Sequence, residues 1–360
     1  MIYFVILQCL IKRQEHSALA MKSLKRKYIF TAIGCVAVIV GIIGFTFFTS
    51  LSGADTTEYI YIDSDDNVDS VFAKVETAAA GKGIGGFKML AKCSNYSENI
   101  HPGRYEVKPG ACTFSVFRAI KSGRQTPLML TIPSVYTPEI MAERLSKKLM
   151  LDSLTLVSAL KNEETCRKYG HDTATIMCMF IPETYEVFWN ISANDLLDRM
   201  NREYGKFWND SRKGKAAALK LSQEQVSTMA SIVDAETSNN AEKPMIAGLY
   251  YNRLNTGMPL QADPTVKFAT KDFAAKRIYH NMLTVDSPYN TYKYEGLPPG
   301  PIRNPTVAGI DAVLNMVHHN YIYMCAKEDF SGTHRFSATY SEHMDNAKRY
   351  SEALNARGIK

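Results

Sequence analysis

Glu236 is the side chain of this 360-residue sequence best placed to move a proton. It lies in the segment 222–238, SQEQVSTMASIVDAETS, whose Ser222 and Gln225 form an S-x-x-Q capping box ahead of Val226, Met229, Ile232 and Val233 at helical spacing. Glu236 falls seven residues beyond Met229, four beyond Ile232 and three beyond Val233, so it extends the apolar stripe. A carboxyl ending a buried stripe is desolvated, which raises its pKa and favours the protonated form that a general acid needs near neutrality. Asp234 shares its side with Ser227, Ala230 and Ser231, a small and polar face. Of the two acids, Glu236 is the better candidate.

Other groups are candidates around it. Glu242, Asp263, Asp286 and Glu295 are possible second carboxylates, although each has a surface ion pair as its ordinary use, and Asp263-Pro264 could equally start a turn. Tyr289, Tyr292 and Tyr294, with Asn290 and Thr291 among them, combine flat apolar faces with hydroxyls, a combination that suits sugar rings. His334 and Phe336, near Gly332, read as residues that line or buttress a site. No metal and no cofactor is expected: the adjacent His318 and His319 would point about 100° apart on a helix and could not share an ion. Gly81, Gly83 and Gly86 match G-x-G-x-x-G, but they follow a helical stretch instead of a strand. Nucleophile-elbow, H-E-x-x-H and P-loop signatures are absent.

The elements that must position these residues alternate in type, and the fold class read from them is α+β. Residues 59–62, 103–108 and 127–132 read as strands, with helices at 67–79, 85–94 and 112–122. Helices follow at 137–150, 151–160 and 192–209, and the composition break at 209–215, NDSRKGK, reads as a linker. Beyond 216, helices at 222–238 and 242–255 precede two turn-rich segments, 256–265 and 286–306. A helix at 306–318, a strand at 321–326 and a closing helix at 339–357 complete the chain. Two long Pro/Gly-punctuated loops after one buried acid are what a ligand cleft requires.

The N-terminal region adds a membrane expectation. Residues 28–54 carry no charge and are long enough to span a bilayer, with Lys22, Lys25, Arg26 and Lys27 before them and Asp55, Asp63, Asp65 and Asp66 after. The positive-inside rule puts 1–27 in the cytoplasm and everything after Asp55 outside. A cleaved signal peptide is the competing reading, but the apolar stretch is long for one and no clean A-x-A site follows. Met21 begins a more ordinary basic anchor, so 1–20 reads as an over-extended start. The formal charge of +6 fits acidic polymers or phospholipid, and no nucleic-acid signature is present. Seven cysteines cannot all pair internally; Cys166 and Cys178 are the closest pair, with free thiols the equal alternative.

Together, MASIVDAET (229–237), AGLYYNRLNTGMPLQADPTV (247–266), SPYNTYKYEGLPPGPIRNP (287–305) and THRFSATYSEH (333–343) resemble the YceG-like family of endolytic murein transglycosylases. GRYEVKPGACTFSVFRAIKSG (103–123) looks like that family's LysM-like module. Two departures stand out. The family often has Glu where this chain has Asp234, and Asn where it has Met344 after the E-H pair.

The resemblance implies one catalytic glutamate, falling on Glu236, and cleavage of the β-1,4 bond between N-acetylmuramic acid and N-acetylglucosamine in peptidoglycan glycan strands. The acid would protonate the glycosidic oxygen, and its carboxylate would then take the proton of the muramoyl C6 hydroxyl as a 1,6-anhydro ring closes. Gln261, Asn290 and Tyr292 are the candidates for holding the sugar, with Asp263, Tyr289 and His334 as further contacts. The implied layout is a cytoplasmic 1–27, an anchor at 28–54, a LysM-like α+β module at 55–135, a helical connecting region at 136–215 and a catalytic domain at 216–360. The implied setting is a single-pass protein of the cytoplasmic (inner) membrane, working beside wall-synthesis enzymes such as penicillin-binding proteins. A hydrolytic muramidase using a second acid and a non-catalytic peptidoglycan-binding scaffold remain as alternatives.

Overall fold

The computed structural model describes residues 2–79, 83–275 and 277–358, apart from the side chains of 3–20 and 22–24. These fall into two compact units, 1–127 and 128–360, each with its own hydrophobic core.

The first unit begins with helix α1 (Ile2–Phe48), whose Lys25–Phe48 stretch is long and apolar enough to cross a membrane. The helix stops earlier than the uncharged run that ends at residue 54. Ser50 pairs with Cys112 in an isolated bridge, and Leu51 is wholly buried in the unit's core. Apolar character continues past Phe48 because a protein core, not lipid, receives Leu51. Strand β1 (Glu58–Ile62) leads through α2 (Val68–Ala78) and α3 (Ile84–Cys93) to β2 (Gly103–Val107), which pairs antiparallel with β1, and α4 (Thr113–Lys121) follows. Strand alternation is plain in β1: Ile60 and Ile62 point into the core, while Tyr59 and Tyr61 face out. Of the glycine motif at 81–86, Gly81 and Lys82 lie outside the described residues; Gly83, at φ 66°, caps α3.

The second unit opens with β3 (Leu128–Thr131). This strand was read with the preceding module, but its partner is β4 (Thr184–Val187), some fifty residues downstream, so it belongs to the second unit. Helices α5 (Pro138–Ser146), α6 (Ser153–Lys161) and α7 (Glu163–Lys168) lie between them, and α8 (Ala193–Phe207) follows. Residues expected to form a linker instead form helix α9 (Asp210–Ala218), capped by the Asn209 side chain, which accepts from Arg212 N. One core embraces side chains from Leu130 to Met316, so the helices of 136–215 and the elements beyond 216 are packed as one body.

The axis of that body is α10 (Gln223–Glu236), where both hydrogen bonds of the Ser222–Gln225 capping box are present. Every residue from Val226 to Val233 is buried, including Ser227 and Ser231. The face read as small and polar is therefore interior; Ser231 Oγ donates to Thr228 O and accepts from Ile302 N. Around it stand α11 (Lys243–Asn255), α12 (Asp263–Thr270) and, after the short α13 (His280–Leu283), α14 (Val307–Leu314). The hairpin of β5 (Tyr323–Ala326) and β6 (His334–Ser337) packs against the closing helix α15 (Tyr340–Ala356).

Candidate active site

Glu236 is the last residue of α10, and its placement follows from the helix: the buried stripe carries it to the C-terminal end, where a cleft opens. The cleft holds about 230 Å³ and is walled by Glu236, Tyr250, Arg253, Gln261, Asp263 and His334, with Tyr292 and the β5 residues Met324 to Ala326. Larger recesses exist in both units, but this one has at its wall the carboxyl that ends α10, met by a tyrosine hydroxyl. Chemistry singles this one out.

Burial pushes the Glu236 carboxyl above its ordinary range, and the negative charge of Asp263 adds to the rise. The Tyr250 hydroxyl, donating to Glu236 Oε1 at 2.7 Å, opposes it, as does the charge of Lys267. The C-terminal end of a helix also disfavours an anion, in the same sense as burial. The result is a carboxyl raised above its ordinary range, with the Tyr250 hydroxyl as a hydrogen-bonding neighbour.

Tyr250 and Arg253 sit three residues apart on α11 and so share a face. Arg253 is 7 % exposed; its Nε donates to Ile322 O and its Nη1 to Leu260 O. No carboxylate pairs with it among the described residues, and burial draws its guanidinium below the ordinary value. The cleft thus contains a cation held by carbonyls.

The loops reach the site by stitching to each other. Gln261, in a left-handed conformation at φ 50°, donates its N–H to Thr291 O, and Ala262 N donates to Thr291 Oγ1. Thr265 and Thr291 hydroxyls meet at 2.8 Å. These bonds set Asp263 at the start of α12, where Tyr292 OH donates to its Oδ1 at 2.6 Å. The second loop is in turn pinned by Asn304, whose side chain donates to Pro133 O and Phe180 O and accepts from Val135 N.

Of the residues expected at the site, Glu236, Gln261, Asp263, Tyr292 and His334 come together on the cleft wall. Tyr289 and Asn290 do not. Tyr289 packs on Phe268 at 4.6 Å between ring centroids and joins the core. Asn290 is fully buried, donating to Leu283 O and Val285 O and accepting from Tyr292 N; it shapes the loop that presents Tyr292. A tyrosine-rich turn needs residues that hold it as well as residues it displays, and composition alone does not sort them. Asp286 is exposed and engaged by Lys293 and Tyr294. Tyr250 and Arg253 were missed, although both stand in the segment 247–266; the signal was their three-residue spacing on a helix adjoining Glu236.

Asp234 has a different job. Its side chain is 2 % exposed, pairs with Lys243 Nζ at 2.7 Å and accepts from both Thr306 N and Thr306 Oγ1. Both its oxygens are engaged inside the protein, whereas Glu236 faces the cleft.

His318 and His319 lie beyond α14, which ends at Leu314, because the helix is shorter than the apolar run suggested. His319 Nδ1 accepts from Tyr321 N and its Nε2 faces Met245 O at 2.9 Å, so it braces α11. No group of three or more His, Cys, Asp or Glu is arranged for a metal among the described residues. Cys166 and Cys178 are unpaired buried thiols.

With this geometry in hand, the comparisons are specific. The sequence model of the YceG-like family matches residues 60–349, and the chain belongs to that family. It is 35 % identical over 164 residues to the endolytic murein transglycosylase of Bacillus subtilis (strain 168), covering 46 % of this chain and 44 % of the relative. It is 25 % identical over 308 residues to the endolytic murein transglycosylase of Streptococcus pneumoniae (strain ATCC BAA-255 / R6), covering 76 % and 55 %. The chain therefore spans about half the length of the curated relatives it matches. A crystal structure of a YceG-like protein from Listeria monocytogenes superposes with a TM-score of 0.54 at 26 % identity, covering 81 % of this chain and 99 % of that one.

Proposed function

We propose that this protein is a membrane-anchored endolytic transglycosylase that cuts the β-1,4 bond between N-acetylmuramic acid and N-acetylglucosamine in peptidoglycan, with Glu236 as acid and then base. The observation that carries the reading is the Glu236 carboxyl itself: partly buried on a cleft wall, pushed above its ordinary range by desolvation, and bonded to Tyr250 OH. The names of the relatives support the substrate.

In the first step Glu236 gives its proton to the glycosidic oxygen, and the bond from that oxygen to muramoyl C1 breaks. The Glu236 carboxylate then takes the proton from the C6 hydroxyl while O6 bonds to C1, closing the 1,6-anhydro ring and restoring the acid. Water does not enter the balance. Tyr250 steadies the carboxylate between the two transfers, since its bond favours the charged form. Gln261 and Tyr292 are proposed to hold the sugar so that C6 can reach C1.

Asp263 lies on the same cleft wall, and this favours a second reading, hydrolysis with two carboxylates. Mass spectrometry of digested glycan separates them. Anhydro ends in the wild type, lost with Glu236→Gln by a factor of roughly 10²–10⁴, are expected. Reducing ends would move the assignment to hydrolysis, intact strands would leave a binding scaffold, and anhydro ends at full rate in Glu236→Gln would remove that residue.

The β1–α2–α3–β2 arrangement of the first unit supports the LysM-like reading. The Lys25–Phe48 helix, basic before and acidic after, supports a single-pass anchor with the cleft on the extracytoplasmic side of the cytoplasmic membrane. There the enzyme would meet nascent strands and the penicillin-binding proteins that make them.

A further inference from the structure

His334 of the cleft wall and Glu242 behind it form a pair that takes no part in these transfers. Glu242, 8 % exposed just before α11, accepts the backbone N–H of His334 on Oε1 at 2.6 Å. Its other oxygen, Oε2, lies 3.0 Å from His334 Nδ1. Glu242 was a candidate second acid; the structure gives both its oxygens to His334 instead. An ionised carboxylate can only accept, so Nδ1 must carry the ring hydrogen. In the neutral imidazole the remaining lone pair is then on Nε2. No protein group among the described residues hydrogen-bonds Nε2, and His334 lines the cleft beside Glu236. His319 is the contrast, with both ring nitrogens engaged inside the protein.

We propose that His334 presents Nε2 as a fixed hydrogen-bond acceptor to the glycan, and that Glu242 is the positioning residue that sets this tautomer. The inference rests on the glycan-cleaving reading above. It also states what is recognised. On the cleft wall Tyr250 gives its hydrogen to Glu236 and Asp263 Oδ1 takes that of Tyr292 OH, whereas Nε2 is an acceptor left facing the cleft. Among the polar groups of an N-acetylated sugar, hydroxyls can turn to donate or accept, whereas the acetamido N–H can only donate. That N–H is the group assigned to Nε2.

Glu242→Gln tests the tautomer with little change of shape. Oε1 is held by a backbone N–H and must stay an oxygen, so the new NH₂ faces Nδ1 and forces the hydrogen onto Nε2. His334→Asn is the complement: its amide nitrogen can still donate to Glu242, but nothing replaces Nε2. Nitrogen-15 NMR of the full-length wild type at about pH 8, where a free imidazole is neutral, should show protonated Nδ1 and bare Nε2 for His334. Glu242→Gln should show the reverse. On purified uncrosslinked glycan strands, both variants should lower kcat/KM by about 10–100-fold, mainly through KM, because the contact already exists in the bound ground state. A wild-type Nε2–H tautomer would overturn the proposal, as would unchanged kinetics in an inverted Glu242→Gln. Should Glu242→Gln melt below the assay temperature, unchanged KM in His334→Asn overturns it by itself. Failure of the cleavage reading looks different: the wild type then makes no anhydro ends.

Discussion

Asp234 and Glu236 are two carboxyls two residues apart on one helix, and their neighbours give them opposite duties. Three donors fill Asp234, whereas Glu236 faces a cleft with one tyrosine hydroxyl. Choosing between them from the sequence rested on the apolar stripe, which located Glu236 but misjudged the other face, since both are interior. What separates them is partner count, and the partners come from α11 and α14, which no local pattern reveals. Glu242 and His334, 92 residues apart, were likewise legible as candidate residues but not as a pair. The raised Glu236 pKa carries a cost with a definite sign. The folded state holds this proton to higher pH than the unfolded chain, so stability falls as pH rises from the ordinary glutamate value through the raised one. Glu236→Gln removes that loss. Thermal melts should find the variant more stable than wild type near neutrality and equal to it below the ordinary glutamate range; equal melting temperatures throughout would remove the strain argued for this carboxyl.

At the level of elements, the helices were the readable part. Capping boxes and 3.6-residue periodicity are local, and α10 begins where Ser222 and Gln225 say it should. Strands β4 and β6 were not read, because each is four residues long and gains its identity from a partner that pattern alone does not supply. The junction of α10, α11 and α14 rests on the Asp234–Lys243 pair, with Lys243 6 % exposed. Asp234→Asn leaves that ammonium buried without a counter-charge, at about 3–5 kcal/mol. This corresponds to a drop of roughly 10 °C in Tm for a body of this size. The half-exposed Arg212–Asp311 pair is the control, and Asp311→Asn should cost less than about 1 kcal/mol. Gly309 belongs to the same junction: a Cβ there would sit 2.5 Å from Asp234 Oδ1, so no side chain fits without moving the carboxylate.

For the whole molecule, the boundary that matters is where α1 gives way to the rest of the first unit. The uncharged run suggested a span to residue 54, but Leu51 lies at 0 % exposure in the unit's core. A truncation and a substitution within it separate these views. A chain starting at 45 keeps Leu51 together with Thr46 and Phe48 and should fold like the full-length protein, and Leu51→Ala in that chain should cost about 2–5 kcal/mol, the range for emptying a leucine site. Equal melting curves would show that the core does without Leu51. The same junction is a close one: Gly86 on α3 lies so near the α1 backbone that a Cβ would come within 2.6 Å of Thr46 O, and Phe48 rests against Phe114. The first unit therefore stands on its helix as a lamp stands on a post, with no slack cord between them. If the post is set in a bilayer, this head keeps a fixed height above the lipid, and a spacer inserted after Phe48 would act by changing that altitude.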